Sequence, residues 1–117
     1  MRKEKFIEIC KSFGFFYYFQ EGPYGCLNVY FAKPYFRDFQ VASYISEEMI
    51  NVYTECYVSF HGIDGKCIKT STSTAWIETE EKLIEALNEF KLSYKNATQN
   101  LRKMELEKDF QDVTRKT

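Results

Sequence analysis

The chain has 117 residues, a formal net charge of −1, and a composition that is 44% hydrophobic and 18% aromatic. This length allows one domain, residues 1–117, with a modest core. The near-zero charge does not favour a general nucleic-acid or membrane-surface binder, and no apolar run is long enough for a transmembrane helix. The basic first residues are followed by no signal-peptide core, so we expect a cytoplasmic protein.

A short amphipathic helix is predicted for residues 1–14. Its apolar residues follow i, i+3, i+4 and i+7 spacing and share one side of a helix: Phe6, Ile9, Cys10 and Phe13. Gly14 comes just after them, where a helix often ends. We expect this helix to cover one face of the sheet that follows.

A five-stranded antiparallel β-meander is predicted for residues 15–75, which contain most of the 11 Phe and 9 Tyr residues. Apolar and polar residues alternate along each segment, as in half-buried strands. The fourth strand is predicted to run unbroken from Val52 to Phe60, and a hairpin loop is predicted at 63–65 with Gly65 at its left-handed position. The predicted hairpins place these residues opposite each other: Gln20 and Cys26, Ile45 and Val52, Phe60 and Ile68.

This register gives the predicted sheet an apolar inner face and a polar, aromatic outer face, since successive side chains point to opposite sides. Val41 and Ile45 fall on the inner face. The outer face is too polar for a core and unusually rich in aromatic residues. It carries Phe16, Tyr18, Asn28, Tyr30, Gln40, Tyr44, Tyr53, Glu55, Tyr57 and Lys69.

A long C-terminal helix is predicted for residues 79–113, with Thr79 as its N-cap. An unbroken heptad seam follows, formed by Leu83, Leu87, Phe90, Tyr94, Ala97, Leu101 and Met104. At 1.5 Å per residue this helix would be about 50 Å long, whereas a domain of this size is only about 35 Å across. Either the helix breaks near residues 96–100, where helix propensity is weak, or its far half contacts another molecule.

The same helix suggests self-association. If its far half is an interface in a homodimer, the residues that would form it are Ala97, Leu101, Met104 and Phe110. The acidic and basic blocks along the helix favour neither parallel nor antiparallel pairing of two copies.

Residue patterns for chemistry are weak. His61 is expected opposite Cys67, but no zinc-ligand spacing or phosphate-binding glycine loop is present. The four cysteines are scattered, as expected of free thiols in a reducing compartment. We therefore predict a protein that is not an enzyme and that has no metal site and no cofactor.

Binding to a protein is the function that this sequence favours, because interface cores are enriched in Tyr and Phe. The predicted contact residues are Phe16, Tyr18, Tyr30, Tyr44, Tyr53, Glu55 and Tyr57. Small inhibitors and adaptors from phages or mobile elements, such as anti-CRISPR and immunity proteins, have this size and layout, so by analogy we expect an inhibitor or adaptor.

Two alternatives remain open. The basic residues of the first helix could bind nucleic acid, although residues 14–78 contain only four Lys and Arg against seven Asp and Glu, and phosphate binding requires a basic surface. The chain could instead be a structural homodimer in which the last helix or a second copy covers the tyrosines.

Overall fold

Two helices lie on the same face of a five-stranded antiparallel sheet in this computed structural model. It describes residues 1–20, 25–61 and 65–115, with the backbone alone at 20, 60–61, 65–66 and 108–115. The elements in chain order are α1 (Lys3–Ser12), β1 (Phe16–Gln20), β2 (Cys26–Tyr30), a 3-10 turn (Arg37–Phe39), β3 (Gln40–Ser46), β4 (Met49–Tyr53), β5 (Cys56–His61), β6 (Gly65–Thr70), β7 (Thr74–Ile77) and α2 (Glu80–Arg115). The predicted α+β arrangement of helix, antiparallel sheet and long helix is confirmed.

The main sheet has the strand order β1-β2-β3-β4-β7. The predicted pairing of β1 with β2 is confirmed, with Gln20 opposite Cys26 and Tyr17 opposite Val29. The predicted meander holds for the first four strands. The fifth strand is β7, a segment that the sequence did not predict as a strand.

β3 pairs with β4 as predicted, but the predicted register between them is wrong. A two-residue turn at Glu47–Glu48 replaces the six-residue connection that we expected, so Ala42 rather than Ile45 lies opposite Val52. A register shift also occurs between Tyr44 and Ser46. As a result Tyr44 points to the inner face, and Ile45 is 44% exposed instead of contributing to the core.

The predicted fourth strand is interrupted at Thr54–Glu55, so that β4 stays in the main sheet while β5 and β6 form a separate hairpin. The N–H of Thr54 donates to the carbonyl of Ser73, and the N–H of Ser71 donates to the carbonyl of Glu55. The three residues 71–73 therefore face only two residues, Thr54 and Glu55. An extra residue of this kind bends a pair of antiparallel strands. The bend carries β5 and β6 onto α2.

The register of the β5–β6 hairpin differs from the prediction by two residues. Val58 rather than Phe60 lies opposite Ile68, and His61 lies opposite Gly65 rather than near Cys67. A shift of two residues preserves the face of each side chain. Ile63 and Asp64 of the predicted loop lie outside the described residues.

The core lies between the inner face of the main sheet and the two helices. The fully buried residues are Phe6, Cys10, Leu27, Val29, Val41, Ile50, Val52, Leu83, Leu87 and Phe90. The apolar stripe of α1 and the first turns of α2 thus cover this face, as expected. Tyr44 belongs to the same core, with its ring 5.2 Å from that of Phe6 and its hydroxyl donating to the carbonyl of Met1 at 2.7 Å.

Helix α2 is continuous over 36 residues, so the alternative with a break near residues 96–100 is wrong. Its N-terminus is capped as predicted, with the Thr79 hydroxyl oxygen accepting a hydrogen bond from the N–H of Lys82. Burial ends at Ala97, and no described side chain between 98 and 107 is buried. The molecule measures 61 × 29 × 21 Å, which reflects this elongated helix.

The two tyrosines that were predicted on one face provide a test of the fold. We expect Tyr44→Ala to lower the free energy of unfolding by about 3–5 kcal/mol, because it removes a buried ring from the core. We expect Tyr57→Ala, at a side chain that is 48% exposed, to change it by less than about 1 kcal/mol. Urea unfolding of both variants measures the difference, and equal losses would contradict this placement of Tyr44.

Truncation tests where α2 stops contributing to the core. A chain that ends at Met104 should unfold within about 0.5 kcal/mol of the full chain, because it retains every described side chain that is buried or half-buried. A chain that ends at Asn96 loses Ala97 and Leu101 and should be clearly less stable. If the two truncated chains unfold at the same urea concentration, the core does not extend to Ala97.

Candidate functional site

The outer face, the side of the main sheet away from both helices, is the candidate site. One row of it crosses all five strands in register, because Tyr18 pairs with Asn28, Asn28 with Ser43, Ser43 with Asn51, and Asn51 with Trp76. Strands lie about 4.8 Å apart, so this row spans about 19 Å. It has an aromatic side chain at each end and amides and a hydroxyl between them.

The β1 end of the outer face is a cluster of aromatic rings centred on Tyr35. The Tyr35 ring stacks on Tyr30 at 5.0 Å and lies 5.9 Å from Tyr18 and 6.4 Å from Phe16. Lys33 places its ammonium 5.2 Å from the centre of the Phe16 ring, a favourable cation–π distance. Tyr30 is buried under this cluster, and the burial raises the pKa of its hydroxyl.

The centre of the outer face is a polar network around Asn28. Its Oδ1 accepts hydrogen bonds from Gln40 at 3.1 Å, from Ser43 at 3.0 Å and from the thiol of Cys26 at 3.2 Å. Asn51 is the exception, because its buried Oδ1 has no hydrogen-bond partner among the described residues. Amides and hydroxyls of this kind keep the uncovered face compatible with water.

The structure brings together only some of the predicted contact residues. Phe16, Tyr18, Tyr30 and Tyr53 do lie on the outer face. Tyr53 lies at some distance from the cluster, with the guanidinium of Arg37 4.4 Å from the centre of its ring. The placement of Tyr44 on this face is wrong, since its side chain is buried on the opposite side.

Glu55 and Tyr57 also lie apart from the outer face. Glu55 is exposed at the bend between β4 and β5, and Tyr57 is exposed on the separate hairpin, opposite Lys69. Lys69 in turn forms an ion pair with Asp38 at 3.4 Å. Whether either residue contacts a partner stays a prediction.

Tyr35 and Trp76 are the surface residues that the sequence reasoning missed. Tyr35 follows Pro34 in a segment without regular structure, and Trp76 lies in the unpredicted β7. One signal was available, because Trp76 and Ile77 are residue types that are enriched in strands.

The predicted self-association residues divide in the same way. Ala97 is buried within its own chain, while Leu101 and Met104 are half-buried. Ala97 is therefore not available to a second copy in this structure. The side chain of Phe110 lies outside the described residues. Leu92 and Leu106 are instead the large apolar side chains most exposed on α2, at 60% and 69%.

Possible metal ligands do not come together in the part of the chain that the structure describes. No three His, Cys, Asp or Glu side chains there are placed to hold a metal ion.

Burial raises the pKa of Cys10 to about 12 and that of Cys56 to about 11. Ser93 donates a hydrogen bond to the carbonyl of Cys56 and accepts one from its N–H, which joins β5 to α2.

Thiol labelling tests these environments, because only the thiolate reacts. At pH 8 we expect Cys10 and Cys56 to be unreactive toward a disulfide reagent in the folded protein and to react after unfolding in urea. Folding raises the pKa of both thiols from 9.0. The contribution of these two groups to the free energy of unfolding is therefore complete below about pH 9 and is lost as the pH rises toward 11–12. A Cys10→Ala, Cys56→Ala variant should keep the native reaction and lose the urea-dependent one. Rapid native labelling of all four thiols would contradict this assignment.

Comparisons with known proteins leave the outer face unassigned. Protein-family models, curated proteins and solved structures gave no match to this chain. Among the described residues, no helix combines the length and apolar character needed to cross a membrane. A function is therefore inferred from the outer face itself.

Proposed function

We propose that this protein is a non-catalytic module that binds a protein partner through its outer face. The observation that carries this proposal is the one-sided coverage of the main sheet. Both helices pack on the inner face, and large aromatic side chains remain exposed on the other side. Tyr18 is 54% exposed and Trp76 is 63% exposed.

The composition of the outer face supports a protein partner. Tyr and Trp provide large contact areas with a polar tip at small entropic cost, and they are enriched in interface cores. The strand residues of this face include no Asp, Glu, Lys or Arg, and its two nearby cations, Lys33 and Arg37, lie over aromatic rings. Charged groups are depleted in interface cores in the same way.

Such a module would act as an inhibitor or adaptor, because without catalytic groups it changes a partner only by occupying part of its surface. Phage- or mobile-element-encoded inhibitors such as anti-CRISPR and immunity proteins are single domains of comparable size, so this part of the proposal is an analogy and rests on no matched fold. The four cysteines are free thiols, which supports a reducing compartment such as the cytoplasm.

The nucleic-acid alternative has less support. On α1, Lys5 pairs with Glu8 at 3.8 Å, and residues 14–78 contain only four Lys and Arg against seven Asp and Glu. Phosphate contacts dominate nucleic-acid affinity, and this balance of charge does not favour them.

A pair of double variants tests the proposed function. Tyr18→Ser with Trp76→Ser removes both exposed ends of the outer-face row, and Leu92→Ser with Leu106→Ser makes a matched change on α2. Both variants should remain folded, since the side chains are largely exposed. We expect the outer-face variant to lose at least about 2 kcal/mol of binding free energy, because Tyr and Trp are enriched among the residues that dominate binding energy, and the α2 variant to bind normally.

Affinity capture from the native host identifies the partner, and calorimetry with the purified partner then compares the variants. Loss of binding in the α2 variant with full binding in the outer-face variant would contradict the proposed site. Loss of binding in neither variant would contradict it as well.

A further inference from the structure

Strand β1 is an open edge of the main sheet. It stands at the end of the strand order, and within the described ranges 1–20, 25–61 and 65–115 its one partner strand is β2, in a regular register with no bulge. Its first four residues, Phe16 to Phe19, are aromatic and are each 40–54% exposed. Alternate residues point to opposite sides of a strand, so aromatic surface is partly exposed on both sides of this edge.

An edge of this kind exposes a row of unpaired backbone N–H and C=O groups. Natural proteins usually protect such an edge with a lysine, a proline, a bulge or a covering element. The sequence of β1, Phe-Tyr-Tyr-Phe-Gln, contains no lysine and no proline. The other edge strand, β7, has only four residues and contacts α2. The two edges of the sheet therefore differ, and β1 is the one that can pair further.

Positive charge lies on both sides of this edge. On the inner side the Lys3 ammonium is 4.2 Å from the centre of the Phe19 ring, and on the outer side the Lys33 ammonium is 5.2 Å from the centre of the Phe16 ring.

We propose that β1 receives an extended segment of the partner protein as a sixth strand of the main sheet, and that this segment carries carboxylates that contact Lys3 and Lys33. This inference rests on the proposed function and names the form and charge of the partner segment. Backbone hydrogen bonds to β1 provide the affinity, and alternate side chains of the segment lie beside the exposed rings on the two sides. One carboxylate on each side then meets one lysine.

A second copy of this chain fits the edge less well. An antiparallel pair of β1 strands has its two-fold axis perpendicular to the sheet, which keeps the inner sides of both copies together. The two Lys3 side chains would share one side of the joined sheet, and the two Lys33 side chains would share the other. Like charges near each other oppose such a pair, whereas an acidic segment is attracted.

Synthetic peptides test the charge requirement. Two nine-residue peptides of alternating Val and Thr, one with two glutamates and the other with two lysines at the same positions, serve as probes. By calorimetry we expect the glutamate peptide to bind about tenfold more tightly, as two exposed ion pairs allow. The Lys3→Glu, Lys33→Glu variant should reverse this preference, and the Lys95→Glu, Lys103→Glu control on α2 should not. An unchanged preference in the first variant would overturn the assignment of charge.

Backbone methylation tests strand addition itself. In an added strand, only every second N–H of the peptide points toward β1. Glutamate peptides that are N-methylated at one set of alternate residues should lose at least about tenfold in affinity, since two or more backbone hydrogen bonds are removed. Methylation of the other set should have little effect. Equal effects of both sets would overturn the proposal.

Two further measurements separate the remaining outcomes. Hydrogen exchange of the β1 amides should slow when the glutamate peptide or the purified partner binds. A free chain that is already a dimer, with its β1 amides protected, would show that a second copy occupies the edge and would overturn the proposal. If the outer-face variant loses binding to the partner but the partner leaves hydrogen exchange of the β1 amides unchanged, the edge inference fails and the proposed function stands. If the partner binds the outer-face variant as tightly as the unaltered chain, the proposed function fails.

Discussion

Both helices of this chain bury their apolar stripes against the same face of one sheet, and most other features depend on that arrangement. Phe6 from α1 and Leu83, Leu87 and Phe90 from α2 meet Val29 and Val52 of the sheet in a single core. Burial of apolar surface is the dominant favourable contribution to folding. No helix among the described residues packs on the opposite face, which has to be stable in contact with water.

The outer face meets that requirement with a mixture of polar and aromatic groups. Asn28 accepts three hydrogen bonds at the centre of the sheet. Tyr35 packs over Tyr30 and reduces the apolar area exposed at one side. Cations over the rings of Phe16 and Tyr53 add polar cover without an ion pair. A surface built in this way is stable in water. A partner can still cover it at a small entropic cost, because its aromatic side chains lose little conformational entropy on binding.

The fold class followed from the sequence because periodicity, turns and caps agree with one another over long segments. The β1–β2 register was predictable because alternation on both strands and the length of the connection specify one pairing. The β3–β4 register was not, since the turn at Glu47–Glu48 contains none of the Gly, Asn or Pro residues that mark tight turns. That single error placed Tyr44 on the wrong face. The division of β4 from β5 depends on an extra residue among Ser71, Thr72 and Ser73, whose composition does not distinguish a bulge from a regular strand.

The candidate site was predictable only where the strand register was predictable. Phe16, Tyr18 and Tyr30 lie on strands whose register was correct, whereas Tyr35 reaches the surface from a segment without periodicity. The heptad seam of α2 was ambiguous, because a seam that packs on its own sheet and a seam that packs on another helix have the same spacing. Leu83 to Ala97 pack within the chain, and the pattern alone could not show this.

The interrupted ribbon of β4, β5, β6 and β7 also bears on how the chain reaches its native topology. Tyr53 pairs with Thr74 across the 20 residues of 54–73, a separation that would be slow to close as an open loop. Those residues include the β5–β6 hairpin, whose pairs run from Cys56 opposite Thr70 to His61 opposite Gly65. Once that hairpin has formed, only a few unpaired residues separate β4 from β7. Strand pairing can then propagate from β5 and β6 to β4 and β7. The last strand of the main sheet is then added by local steps, although it is distant in the sequence.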